Sequence, residues 1–113
     1  MNVTQIARMA QQLQAQMAQA QEELRETTLE ATAGGGAVRV VITGGQQIRA
    51  VEIDPAAVDP AEVEMLQDLV VAAVNEAITR SKELERDRMA TVAGGIGLAG
   101  MPGLGGAAPR GLG

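Results

Sequence analysis

VEIDPAAVDPAEVEMLQDLVVAAVNEA, residues 51–77, decides the fold. Val51 and Ile53 close a strand, and Asp54-Pro55 stops it. Asp59 then offers a side-chain oxygen to orphan backbone N–H groups. Pro60 sits at a first helical position, where its missing donor costs nothing, and Glu62 completes a capping-box-like D-P-x-E. A strand ends and a long helix begins within ten residues.

Within that helix Val63, Leu66, Leu69, Val70, Ala73, Ala77 and Leu84 recur at three- and four-residue steps and share one face. The run Leu69 to Val74 (LVVAAV) is apolar nearly all round, so it must be covered on more than one side. Leu66, Leu69, Val70, Ala73 and Val74 are the residues expected to meet a second copy of the chain.

Size points the same way. The chain has 113 residues, and nine of its 14 glycines lie from Gly94 onward, which predicts a folded domain over 1–93 and a glycine-rich, disordered tail over 94–113. Phe, Trp and Tyr are absent, and aromatic rings bury the most area per residue. A core of Val, Ile, Leu, Met and Ala in one small subunit is thin, so an obligate dimer is expected.

Working back toward the amino terminus, Val3, Ile6, Ala10, Leu13, Met17, Ala20 and Leu24 alternate three and four apart, the a and d positions of three heptads. The pattern predicts a helix from Asn2 to about Arg25, roughly 35 Å long, with Asn2 and Gln5, or Thr4, as its cap. It reads either as a core helix or as a coiled-coil-like arm with one end packed and the other projecting. Thr27, Thr28 and Thr32 are β-branched, so Glu26 to Ala33 reads as a short strand, with an extended first helix as the alternative.

Gly34-Gly35-Gly36 breaks any element; without G-K-[ST] or G-x-G-x-x-G spacing it reads as a turn and not as a phosphate loop. Val38 to Thr43 alternates as a strand, Gly44-Gly45 marks a hairpin, and a third strand runs from about Gln47 to Ile53. Alternation there places Arg49, Val51 and Ile53 on one face and Ile48, Ala50 and Glu52 on the other. With apolar residues on both faces, the sheet is expected to be covered by helices on one side and a partner subunit on the other. The second helix should run from Pro60 to about Met89. In the glycine-rich tail Ile96, Leu98, Met101 and Leu104 are isolated apolar residues that either dock or remain unattached.

Catalysis has little to work with. There is no Cys and no His, which removes thiol nucleophiles, the usual metal ligands and the usual general base. Glu62, Glu64, Asp68 and Glu76 fall on solvated helix faces, and Asp54 and Asp59 serve turns. We expect no enzyme, no metal, no cofactor and no small-molecule substrate. No apolar run approaches the ~20 residues of a membrane span, and no leader pattern opens the chain, so a cytoplasmic protein without membrane attachment is expected.

The basic residues carry the functional signal. Net charge is −5, the wrong sign for a phosphate binder, so any nucleic-acid contact must be local. Four of the nine basic residues, Arg80, Lys82, Arg86 and Arg88, crowd the end of the second helix, and Arg8 sits on the first. On a helical wheel Arg80 and Arg88 continue the stripe of Leu84, whereas Lys82 and Arg86 point away. These cations serve either as helix-surface partners of Glu76, Glu83 and Glu85 or as contacts to DNA phosphates.

VEIDP, the EMLQDLVVAAVNEA helix, the glycine turn before them, Met89 near the helix end and the Gly/Pro/Met tail together resemble the YbaB/EbfC family of small bacterial nucleoid-associated proteins. The resemblance runs from the first helix to the tail. It implies an α+β fold: an α-β-β-β-α subunit with a small antiparallel sheet and two long helices, paired as a tweezers-like homodimer whose helical ends project. It implies double-stranded DNA as the partner, bound through basic residues of the first helix and the distal second helix, in the nucleoid. Here the first helix departs from the family pattern, with Gln11, Gln12, Gln14, Gln16 and Gln19 where lysines are frequent.

The resulting expectation is a homodimeric nucleoid-associated protein that meets DNA through Arg8, Arg80, Lys82, Arg86 and Arg88, mainly at the phosphate backbone and with little sequence specificity. It would contribute to nucleoid organisation and gene regulation. No aromatic side chain is available to stack on single-stranded bases. The alternative is an adaptor or holdase-like scaffold that grips other proteins with its helical arms and methionines, its charges serving solubility.

Overall fold

The computed structural model describes residues 2–95. Helix α1 (Val3–Glu26) is followed by strands β1 (Thr28–Ala33), β2 (Val38–Thr43) and β3 (Ile48–Ile53), two single 3₁₀ turns, and helix α2 (Val63–Gly95). The fold is α-β-β-β-α, with a three-stranded antiparallel sheet in the order β1-β2-β3.

Local chemistry sets the helix starts. Asn2 Oδ1 accepts from the Gln5 N–H at 2.8 Å, and Gln5 Oε1 accepts from the Asn2 N–H at 3.2 Å, so two orphan donors at the head of α1 are satisfied reciprocally. Asp54 and Asp59 each accept from the backbone N–H two residues on, at 2.9 Å, and each is followed by a proline that fixes φ. The turn begun at Pro60 is 3₁₀ through Glu62, and α-helical bonding starts at Val63. At its other end α2 continues past Met89 to Gly95. The tail expected beyond it, residues 96–113, lies outside the described residues.

The described chain forms two compact units: residues 23–85, and residues 2–22 with 86–95. In the first, Ala31, Val38, Val40 and Ile42 of the sheet meet Ala73 and Ala77 of α2, all fully or almost fully buried. The two alanines have no bulk to hold the helix off the sheet. Around them Leu29, Ala33, Leu66, Leu69, Val70, Val74 and Ile78 are half-buried. In the second unit the helix segments lie side by side, and Ala20 and Val92 are buried.

A bulge corrects the facing of β3. Ile42 pairs with Ile48 and Val41 with Ala50, so β3 carries one extra residue, Arg49. Alternation without the bulge puts Ile48 with Ala50 and Glu52. In the fold Ile48 opposes Ile42, on the face of Val40–Val51 and Val38–Ile53. That face of β3 is apolar throughout and incompletely covered: Ile48, Val51 and Ile53 are 41%, 44% and 38% exposed. The opposite face is bound by charge, with Arg39 of β2 reaching Glu30 of β1 and Glu52 of β3.

Two glycines are required by space. A Cβ on Gly44 would stand 2.7 Å from Leu24 Cδ2 and 3.0 Å from the Leu24 carbonyl, so the end of α1 rests on the β2–β3 turn. Gly34 has φ +66°, and a Cβ there would meet Leu69 Cδ1 at 2.9 Å.

Candidate nucleic-acid interface

Around the second half of α2, Ser81 sets which side chains look outward. It is fully buried, and its Oγ donates to the Thr43 carbonyl at 2.6 Å. Each helical residue turns about 100°, so the neighbouring Lys82 is carried off the packed face and is exposed. Among the described residues Lys82 makes no ion pair.

Arg80 is already engaged. Its Nε donates to Glu76 Oε2 at 2.9 Å, one turn earlier on α2, and its guanidinium also donates to the Glu30 carbonyl of β1 at 2.9 Å. The side chain is half exposed and ties helix to sheet. Of the two readings of this residue, the helix-surface ion pair is present.

Arg86, Arg88 and Arg8 lie in the helix-pair unit. Arg86 stands outward, 72% exposed, with Asp87 Oδ1 at a loose 3.5 Å. Arg88 is half-buried and lines a shallow cleft of about 310 Å³ with Gln16 and Gln19 of α1 and Thr91 and Val92 of α2. Arg8 is exposed on α1.

Two further polar clusters belong to the framework. Arg39 Nε donates to Glu30 Oε1 at 2.9 Å, and its guanidinium also bonds Glu30 Oε2 and Glu52 Oε1. The bond from Arg39 holds the Glu30 carboxyl below its ordinary value, and the two carboxylates push the Arg39 guanidinium up. The second cluster is the Ser81 hydroxyl with Thr43 and Gln46. Sequence reading passed over both. Their signals were a charged residue mid-strand between β1 and β3, and a serine four residues after Ala77 on the apolar stripe of α2.

Of the residues expected to meet a second copy, Ala73 is enclosed by the subunit's own sheet, and Leu66, Leu69, Val70 and Val74 are half-buried against the same core. Leu66 and Leu69, with Met65, Ala37 and Gly34, line an open apolar groove of about 420 Å³. Among the described residues no cluster of three His, Cys, Asp or Glu could hold a metal, and no helix is long and apolar enough to cross a membrane.

A helix, a three-stranded antiparallel meander and a second long helix define an α-β-β-β-α protein, and a crystal structure from Helicobacter pylori has the same fold. It superimposes with a TM-score of 0.69 over 77% of this chain and 91% of that one, at 21% identity. The family is settled by sequence: the model of the YbaB/EbfC DNA-binding family matches residues 1–96, and the chain belongs to that family. A nucleoid-associated protein of Acetivibrio thermocellus is 48% identical over 103 residues, covering 91% of this chain and 89% of its own. One from Moorella thermoacetica is 56% identical over 86 residues, 76% of this chain and 83% of its own. A third, from Streptomyces avermitilis, is 46% identical over 103 residues and 91% of each.

Proposed function

We propose that this chain is a nucleoid-associated protein that binds duplex DNA as a homodimer, chiefly through phosphates and with little sequence preference. So placed, it contributes to nucleoid organisation and gene expression. The observation that carries the reading is the outward placement of Lys82 and Arg86, one helical turn apart on α2, in a member of a DNA-binding family. The relatives' names support the same assignment.

The chemistry favours backbone contact. Lysine and arginine on a helix surface neutralise phosphates without reading bases, and the chain has no aromatic ring to stack. Arg8, Lys82, Arg86 and Arg88 are the phosphate contacts in this reading. Arg80, held by Glu76 and the Glu30 carbonyl, contributes least. Glu83, Glu85 and Asp87 are interleaved with these cations, which keeps the affinity modest.

Apolar surface supports the homodimer. Half-buried Leu66, Leu69, Val70 and Val74, backed by Ala73, form a stripe on α2, and Ile48, Val51 and Ile53 stand uncovered on the core face of β3. A second copy laid on these residues supplies the core that one small subunit lacks.

The test is competition binding. A labelled duplex held by the protein should be displaced by unrelated duplexes within a few-fold of one another in concentration, and poorly by single strands. Strong preference for one sequence would contradict backbone recognition, and absence of binding to any duplex would remove DNA as the partner.

A further inference from the structure

We propose that Arg49, the extra residue of the β3 bulge, meets a phosphate of the bound duplex, so that the sheet contacts DNA as well as the helices; this rests on duplex DNA being the partner. The bulge sets Arg49 apart. Ile48 opposes Ile42 and Ala50 opposes Val41, which leaves Arg49 without a residue across from it. A bulge of this kind re-aims a side chain that strict alternation would fix on one face of the sheet. Arg49 is exposed, and its guanidinium turns to the end of α1, where Nη2 donates to the Arg25 carbonyl at 3.3 Å.

The charge of Arg49 has no counter-ion. Among the described residues it makes no ion pair. Glu52, the only carboxylate on β3, is held by Arg39 together with Glu30 of β1. From Val40 to Val51 Arg49 is the single charged residue. Its bond to the Arg25 carbonyl is long for an N–H donor and occupies one of the guanidinium's five donors. Capping the last turn of α1 therefore leaves the charge and most of the donors to a ligand, and the planar fork of a guanidinium matches a phosphate.

The neighbouring turn is open to close approach. Gly45 is exposed and has no side chain, and Gly44, Gly45, Gln46 and Gln47 carry no charge. Ser81 Oγ fixes this turn to α2 by accepting from the Gln46 N–H at 3.1 Å, and the next residue on α2 is Lys82. Three residues of extended chain put Arg49 at most about 10 Å beyond Gln46. Duplex DNA presents one phosphate charge per about 1.7 Å of its axis, so cations flanking one turn reach phosphates of the same molecule. A lone guanidinium does not hold a duplex, and the Arg49 contact therefore forms only while the helix cations hold the DNA.

The test measures duplex affinity against salt for the full-length parent, Arg49→Gln and Arg49→Lys. Glutamine removes the charge and keeps an N–H donor for the Arg25 carbonyl, whereas lysine keeps the charge. Arg49→Gln is expected to melt and sediment as the parent, to bind duplex several-fold more weakly, and to lower the log–log salt slope by about 0.9. Arg49→Lys should keep the parental slope. An unchanged slope in Arg49→Gln would overturn the proposal and leave DNA as the partner; if its melting temperature also fell, Arg49 would be a cap of α1 and nothing more. A lowered slope that lysine does not restore would equally overturn it. A parent that binds no duplex removes both this contact and DNA as the partner.

Discussion

Ser81 and Thr43 are joined by a 2.6 Å bond from the Ser81 hydroxyl to the Thr43 carbonyl, and the same oxygen accepts from the Gln46 backbone N–H at 3.1 Å and from Gln46 Nε2 at 3.0 Å. One hydroxyl thus uses its donor and both lone pairs. It locks the β2–β3 turn to α2, holds Gln46 at φ +62°, and fixes the rotation of the helix that carries Lys82. Replacing Ser81 by Ala removes these three bonds, while the Gln46 N–H keeps the Thr43 carbonyl at 3.1 Å and Gln46 Nε2 keeps the Gly44 carbonyl at 3.0 Å. We expect a loss of about 0.5–1.5 kcal/mol, read as a lower denaturant midpoint at fixed protein concentration.

The same turn is clamped from the other side by α1. Gly44→Ala puts a methyl 2.7 Å from Leu24 Cδ2 and 3.0 Å from the Leu24 carbonyl, and the backbone oxygen cannot swing aside. A destabilisation of about 1–3 kcal/mol is expected. Gly45→Ala is the control, because its nearest neighbours are at 3.7 Å. Thermal melts of the two variants should separate clearly, with Gly45→Ala close to the parent.

The Arg39 pair of carboxylates gives the fold an acid-sensitive component. Glu30 has a folded-state pKa lowered below 4.5 by its bond to Arg39, so the unfolded chain binds more protons in the window between the two values. Stability from this contact is present above the unfolded value and is lost as pH falls through the folded one. In Glu30→Gln, denaturation midpoints should fall less steeply over that acid window than in the parent. Equal slopes in the two proteins would assign the acid sensitivity to other carboxylates.

Much of this fold was legible because its signals are local. Strand β2 was read at its observed bounds from the alternation of Val38, Val40 and Ile42, and the Asn2–Gln5 cap was read from residue type and spacing. The facing of Ile48 was not legible, because a bulge depends on the neighbouring strand and leaves no mark on the alternation itself. The role of Gly44 was hidden for a similar reason: it looked like a residue chosen for turn geometry, whereas its cause is Leu24, twenty residues away. For the candidate interface, the wheel sets Lys82 and Arg86 apart from Arg80 and Arg88, and in the fold Arg88 is half-buried whereas Arg80 is exposed with Lys82 and Arg86. That Arg80 would also reach the Glu30 carbonyl required knowing how β1 and α2 pack.

Apolar surface on β3 yields a prediction for assembly. Val51 is 44% exposed in the subunit, on the face that a second copy would cover. Val51→Glu should leave the strand intact and place a charge against the partner. Dimer affinity should weaken by about 1.5–3 kcal/mol, roughly 10- to 100-fold in Kd. Sedimentation across a dilution series would show the shift, and an unchanged dimer would move the interface elsewhere.

The central claim is that phosphates meet Arg8, Lys82, Arg86 and Arg88, and the most direct measurement is duplex affinity as a function of salt for the parent and for the full-length protein with these four changed to Ala. The parent should lose affinity linearly in log Kd against log salt, with a slope of about 0.9 for each phosphate neutralised. The variant, still folded and of parental oligomeric state, should bind far more weakly and with a slope near zero. A variant that keeps both the affinity and the salt slope of the parent would contradict the account.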